Sequence, residues 1–193
     1  KQLEFSVFIE EEDLVARVVF ALCEDQPLFL WKMILENQSN EPINVDCLVL
    51  LSIGYGRGNE SSRYFSGNEA SKPAYSFFSN GWQSWSFSGT YREDQIQRQT
   101  RLKFFQDVLI QNPGTPLYRQ QGRFSGDFYG VLADRNARTA SLFGFLSQKN
   151  HFGSIDADTR DTPHIRMWAN SDQTILSPGQ TMETDWAAIY SNY

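Results

Sequence analysis

Leu3, Phe5, Val7 and Ile9 occupy every second position, with Glu4, Ser6 and Phe8 between them. In an extended chain, side chains two apart share a face, so this stretch reads as a half-buried strand. Charged residues from Glu10 to Asp13 predict a turn, and Val15 to Leu22 returns as a second strand. Leu28 to Glu36 is apolar at both parities, with Trp31 and Met33 opposite Leu30 and Ile34. That suits a strand covered on both faces. Turn formers follow from Asn37 to Pro42. Ile43, Val45, Cys47, Val49 and Leu51 then share one face of a long strand. Strands spaced about ten residues apart predict an antiparallel meander or sandwich.

Residues 54–72 break the pattern, with repeated glycines and serines and no periodicity. They read as an irregular surface loop, the kind of segment in which functional residues concentrate. Tyr75 to Phe78 is apolar again, residues 91–103 are polar, and a short helix is predicted near Leu102 to Leu109, stopped by Asn112-Pro113-Gly114. After Gly126 the strand pattern resumes. Phe128 to Ala133 and Ala140 to Gln148 form a hairpin about Asp134-Arg135-Asn136. His151 to Ile155, His164 to Trp168, Thr174 to Leu176 and Met182 to Tyr190 are further strands, with Ser177-Pro178-Gly179 as the last turn. The expectation is one all-β domain over residues 1–193, of a dozen or more antiparallel strands in two packed sheets.

Composition narrows the partners. The 193 residues carry a net charge of −6, which offers no basic excess to neutralise nucleic-acid phosphates. No run reaches the roughly eighteen apolar residues of a membrane-crossing helix. Cys23 and Cys47 lie in apolar runs without metal spacing and read as small buried thiols. Asn37-Gln38-Ser39 and Asn59-Glu60-Ser61 match glycosylation acceptors, a pattern too short to establish secretion. The chain begins at Lys1, shows no signal-peptide pattern, and is expected in the cytoplasm.

Catalytic chemistry is hard to find. The only histidines, His151 and His164, stand near no Gly-x-Ser-x-Gly turn, and structural or surface roles are expected for both. No spacing suggests a metal or a cofactor, and none is expected. A glycosidase needs two acids across its sugar. Asp127, Asp156, Asp158 and Asp161 are available, but nothing in the sequence pairs any two of them.

One stretch stands apart. Asn80-Gly81-Trp82-Gln83-Ser84-Trp85-Ser86 puts two of the five tryptophans three residues apart, beside glycine and small polar residues. Asn80-Gly81 predicts a tight turn, since both tolerate positive φ. If the rest is a strand, Trp82 and Ser84 face one way, Gln83 and Trp85 the other. One indole then anchors the segment while the other points outward. An exposed indole packs on the C–H face of a pyranose, and amides and hydroxyls beside it bond the sugar's hydroxyls. Two tryptophans packed in an aromatic core is the alternative reading.

This heptad resembles the signature of the N-terminal domain of melibiase-type α-galactosidases, glycoside hydrolase family thirty-six. Ser125-Gly126-Asp127-Phe128 and Leu142-Phe143-Gly144-Phe145-Leu146-Ser147-Gln148-Lys149 resemble a later hairpin of the same domain. The resemblance implies a β-supersandwich with at most one or two short helices. It implies a parent enzyme whose catalytic aspartates lie on a (β/α)8 barrel, too large for this chain to contain. By the same likeness Trp85 lines a galactose pocket, and by strand parity Trp82 is then the buried anchor. Gln83, on the face of Trp85, is a candidate for a sugar hydroxyl. Trp85, Gln83 and Trp82 are therefore the candidate substrate-binding residues, with no catalytic residue in the chain. The implied partners are galactose or an α-galactoside, the enzyme's own barrel, and a second copy of the chain. An independent saccharide-binding module is the alternative function.

Overall fold

The computed structural model describes residues 2–9, 13–54, 74–98, 100, 112–160 and 163–192. Among them are thirteen strands and no helix. The first six are β1 Gln2–Ile9, β2 Leu14–Leu22, β3 Leu28–Asn37, β4 Ile43–Ile53, β5 Tyr75–Ser79 and β6 Gly89–Arg92. The rest are β7 Arg123–Asp127, β8 Tyr129–Asp134, β9 Thr139–Phe145, β10 Phe152–Asp158, β11 His164–Leu176, β12 Thr181–Glu183 and β13 Ala187–Asn192. The predicted loop at 54–72 lies outside the described residues except for Gly54. The predicted helix, Asn59 and Asp161 lie outside them entirely.

The strands form two antiparallel sheets. The larger, nine-stranded sheet runs β1-β2-β3-β13-β9-β8-β5-β6, with β12 also paired to β3. The smaller runs β4-β11-β10-β7. Period-two alternation sets the registers, because a one-residue slip would turn every apolar side chain to the wrong face. Val18 thus lies between Phe5 on β1 and Met33 on β3.

The core lies between the sheets. Phe77 of the large sheet stacks on Phe124 of the small one at 6.2 Å, and both are fully buried. Tyr91, paired with Phe77 across β5 and β6, also stacks on Phe124 at 5.2 Å. Ile155, Ile165 and Met167 complete the inner face of the small sheet. Each large apolar side chain buried this way contributes about 2–3 kcal/mol. Trp31 joins the sheets by a polar bond, donating from its indole N–H to Leu50 C=O at 3.0 Å.

The β4–β11 pairing departs from the sequence expectation in two ways. The two strands expected at 164–168 and 174–176 are one, interrupted by a bulge. Asn170 pairs with Cys47 and Thr174 with Val45, so Ser171, Asp172 and Gln173 oppose Asp46 alone. Asp172 and Gln173 adopt φ of 54° and 55° to accommodate the extra residues. The bulge breaks the expected alternation of β4. Val45 points inward, but Cys47 and Val49 point outward and Leu48 takes the inner place. The expectation of buried cysteines is therefore corrected. Cys47 is exposed because of the bulge, and Cys23 is exposed because β2 ends at Leu22. Both are free thiols.

The outer face of the small sheet is polar and partly covered. Asp127, Ser154, Asp156, Trp168 and Asn170 project from it, and all but the partly buried Asn170 are buried. The segment from Asn112 to Tyr118 lies over them. Thr115 donates to Asp127, Tyr118 donates to Asp156 at 2.6 Å, and Trp168 donates to Gly114 C=O at 3.2 Å.

Candidate functional site

The tryptophan heptad joins β5 to β6 as a turn. Ser86 N–H donates to Gln83 C=O at 2.9 Å, and Gln83 N–H donates back to Ser86 Oγ at 3.2 Å. The strand alternation expected here does not occur, because a serine side chain offers the backbone a local partner that competes with a ladder. Neither Asn80 nor Gly81 has positive φ. Glycine is needed for another reason, since a Cβ at Gly81 would lie 2.5 Å from Ser86 Cβ. The turn is tied down at both ends. Asp127 N–H donates to Asn80 C=O and Asn80 Nδ2 donates to Asp127 C=O, each at 2.9 Å. Thr100 Oγ1 donates to Trp85 C=O at 3.1 Å, and Ser86 and Thr100 form a bridge.

On this anchored turn Trp85 is 39% exposed. Trp82 is half-buried, and its ring meets Phe152 edge to face at 5.9 Å and 77°. Phe152 is itself exposed, so Trp82 does not anchor the turn in the core as strand parity implied. The anchoring falls to Asn80. Gln83 is half-buried, with its backbone held in the turn. The structure thus places the three candidates on one short turn and adds Phe152 to their surface.

The candidate acids are engaged elsewhere. Asp156 accepts from Tyr118 and from Arg166 at 2.9 Å. Burial works against ionisation of Asp158, but Arg160 outweighs it and lowers the pKa. His151 is held between the carbonyls of Asn170 and Glu183. Among the described residues no three His, Cys, Asp or Glu side chains are grouped to hold a metal ion.

Asp127 is different. It is 1% exposed, and its Oδ2 has no hydrogen-bond partner among the described residues. A directed chain of donors ends on its other oxygen. Trp168 Nε1 donates to Asn170 Oδ1 at 2.9 Å, and Asn170 Nδ2 donates to Ser154 Oγ at 2.7 Å. Ser154 and Thr115 share a 2.5 Å bond, and Thr115 donates to Asp127 Oδ1 at 2.7 Å. Burial still dominates and raises the Asp127 pKa to about 6, against the lowering effect of Thr115 and the Asn112 N–H. Beside it, Gln97 bridges the sheets. Its Nε2 donates to Ser79 Oγ at 3.0 Å and to Ser125 C=O at 2.6 Å, and its Oε1 accepts from Ser125 N–H at 2.7 Å. Sequence reasoning missed this network, whose members are common polar residues far apart in the chain. The one local signal was Gly114, where a Cβ would lie 1.9 Å from Asn170 Oδ1.

No family model matches the sequence, and no curated protein matches it. Solved structures do. GH36 α-galactosidase AgaA from Geobacillus stearothermophilus aligns over 99% of this chain with a TM-score of 0.58 at 10% identity. AgaB from the same organism aligns over 99% with a TM-score of 0.58 at 11% identity. The chain shares the fold of part of a GH36 α-galactosidase. It spans about a quarter of their length, 24% of AgaA and 23% of AgaB. A variant of AgaA was solved in complex with stachyose and aligns with a TM-score of 0.57 at 10% identity, over 99% of this chain and 24% of its own. At such identities the likeness to GH36 α-galactosidases is one of fold, and this chain's own residues must carry any argument about its site.

Proposed function

We propose that this chain is the non-catalytic N-terminal domain of a retaining α-galactoside hydrolase. Its tryptophan turn supplies an aromatic wall to a substrate pocket whose catalytic acids lie on a (β/α)8 barrel. The observation that carries this reading is an exposed indole, Trp85, on a turn clamped to the sandwich through Asn80 and Asp127. A clamped turn holds an indole in place at little entropic cost on binding. The fold shared with GH36 α-galactosidases supports the reading, as does the separate engagement of the described acids. Trp85 stacks on the sugar, Gln83 bonds a hydroxyl, and Trp82 backs the wall against Phe152. The substrate is galactose or an α-galactoside, and the barrel belongs to the same or a neighbouring copy of the parent chain. No helix among the described residues is long and apolar enough to cross a membrane. The two exposed free thiols suit a reducing compartment, so we place the protein in the cytoplasm.

The test is hydrolysis of a nitrophenyl α-galactoside. The chain alone releases no nitrophenol, the parent enzyme does, and Trp85→Ala in the parent weakens turnover or substrate affinity by about tenfold. Turnover by the chain alone that Trp85→Ala abolishes refutes the reading.

A further inference from the structure

The outer face of the small sheet carries a cleft of about 410 Å³, lined by Asp46, Cys47, Asn112, Phe152, Asn170 and Gln173 among others. That volume lies within the roughly 300–1,000 Å³ of small-molecule sites. Its shape follows from features already described. The bulge on β11 lifts Asp172 and Gln173 into one wall, and Asn112-Pro113-Gly114 forms another. Trp168 and Asn170 make the floor, with Phe152 at the side toward Trp82. Pro113, Gly114, Cys47 and Trp168 also line an adjoining hollow of about 310 Å³, where Arg166 stands.

The floor is rigid. Asn170 Nδ2 donates to Phe152 C=O at 2.9 Å and to Ser154 Oγ, while Oδ1 accepts from Trp168. Gly114 packs so closely on Asn170 that a Cβ there would push the Asn170 amide out of its bonds. A floor fixed by its own bonds orients a ligand without the entropic cost of ordering side chains.

The lining selects the ligand. Phe152 is 44% exposed and presents an apolar ring beside polar groups. The Asp46 and Asp172 carboxylates accept hydrogen bonds, and Asn112 and Gln173 carry side-chain amides. Among the described residues no lysine or arginine lines the larger cleft, so there an anion meets two carboxylates without compensation. An aromatic ring with carboxylates and amides around it matches the alternating C–H faces and hydroxyls of a sugar. We propose that this cleft is a self-contained binding site for a neutral saccharide, separate from the wall that Trp85 supplies. It is formed wholly by this chain and does not rest on the reading of the tryptophan turn.

Cys47 makes the proposal testable in place. It lines the cleft, whereas Cys23 is also exposed, just past the end of β2 and not among the lining residues, and serves as an internal control. The full chain is alkylated with a maleimide in the presence of galactose, melibiose or raffinose, and both thiols are followed by peptide mass. Occupancy slows alkylation of Cys47 about fivefold at saturating sugar and leaves Cys23 unchanged. Phe152→Ala weakens the protecting affinity about fivefold, the factor that loss of one stacking ring gives. Asp46→Ala weakens it as well, without altering the aromatic packing. Trp85→Ala leaves the protection intact. The proposal is overturned if Cys47 reacts at the same rate with and without sugar, or if both thiols slow together. It is overturned equally if only an organic cation such as choline protects, or if Trp85→Ala abolishes the protection. Failure of the tryptophan reading appears separately, as unchanged turnover of the parent enzyme carrying Trp85→Ala.

Discussion

Asp127→Asn isolates a carboxyl group whose burial opposes its charge. The carboxyl group is 1% exposed with one oxygen unpartnered among the described residues, and its pKa is raised from 3.8 to about 6. Between those values the folded chain holds a proton that the unfolded chain has released. The contribution of this group is therefore fully present below the unfolded value. It is lost as pH rises through about 6, because burying the ion then opposes folding. A shift of about two units at 1.36 kcal/mol each makes the loss about 3 kcal/mol above neutrality. That is a large share of the roughly 5–15 kcal/mol that holds a domain folded. Asparagine keeps the shape and an acceptor for Thr115, and it carries no charge. It forgoes the charge-assisted part of the Thr115 bond, about 1 kcal/mol. Asp127→Asn is thus expected to stabilise the chain by about 1–2 kcal/mol at pH 8 and to lose that advantage by pH 4. Thermal melts from pH 4 to 8.5 read this directly. The melting temperature of Asp127→Asn is expected to rise relative to the unsubstituted chain by roughly 2–8 °C across the series. Parallel pH profiles for the two chains, or a gap that widens toward acid, would refute the reasoning.

Gln97→Ala removes the amide that ties Ser79 to Ser125 and leaves buried groups unbonded, so a loss of about 2–4 kcal/mol is expected in urea unfolding. Phe77→Ala empties the centre of the inter-sheet stack at a cost of about 3–5 kcal/mol, measured the same way. Trp85→Ala removes only an exposed ring, so the melting temperature is expected to stay within about 2 °C while any effect on the parent enzyme is kinetic. Asp185 accepts from Ser147 and from the N–H groups of Asn150 and His151, and these outweigh its burial and lower its pKa. Its contribution is present above the unfolded carboxylate value and lost as pH falls through the lowered one, so Asp185→Asn is expected to weaken the chain near neutrality and to matter less in acid melts.

The strands were legible because period-two alternation is a local property that tertiary packing then confirms. β1, β2, β3 and the β8–β9 hairpin fall within a few residues of where the pattern put them. β6 and β7 were missed because Gly89–Arg92 and Arg123–Asp127 are short and polar, and their stability comes from partners elsewhere in the sheets. The side-chain directions on β4 failed at a bulge whose cause sits on β11, remote in sequence. The tryptophan turn was found by its composition, but its conformation was misread. The Ser86 bonds that close the turn mimic no strand signal, and Phe152 comes beside Trp82 only through the tertiary fold.

The β4–β11 seam also bears on how the chain reaches this state. The seam joins segments more than a hundred residues apart, whereas β8 and β9 meet across a short turn. Local hairpins form in microseconds, while distant pairings wait on the entropy of closing long loops. A one-residue slip in that seam would turn the inward apolar residues outward, which favours the observed register over a shifted pairing. The walls of the cleft come from both strands of this seam. Protection of Cys47 by sugar would therefore appear only in chains that have completed this seam.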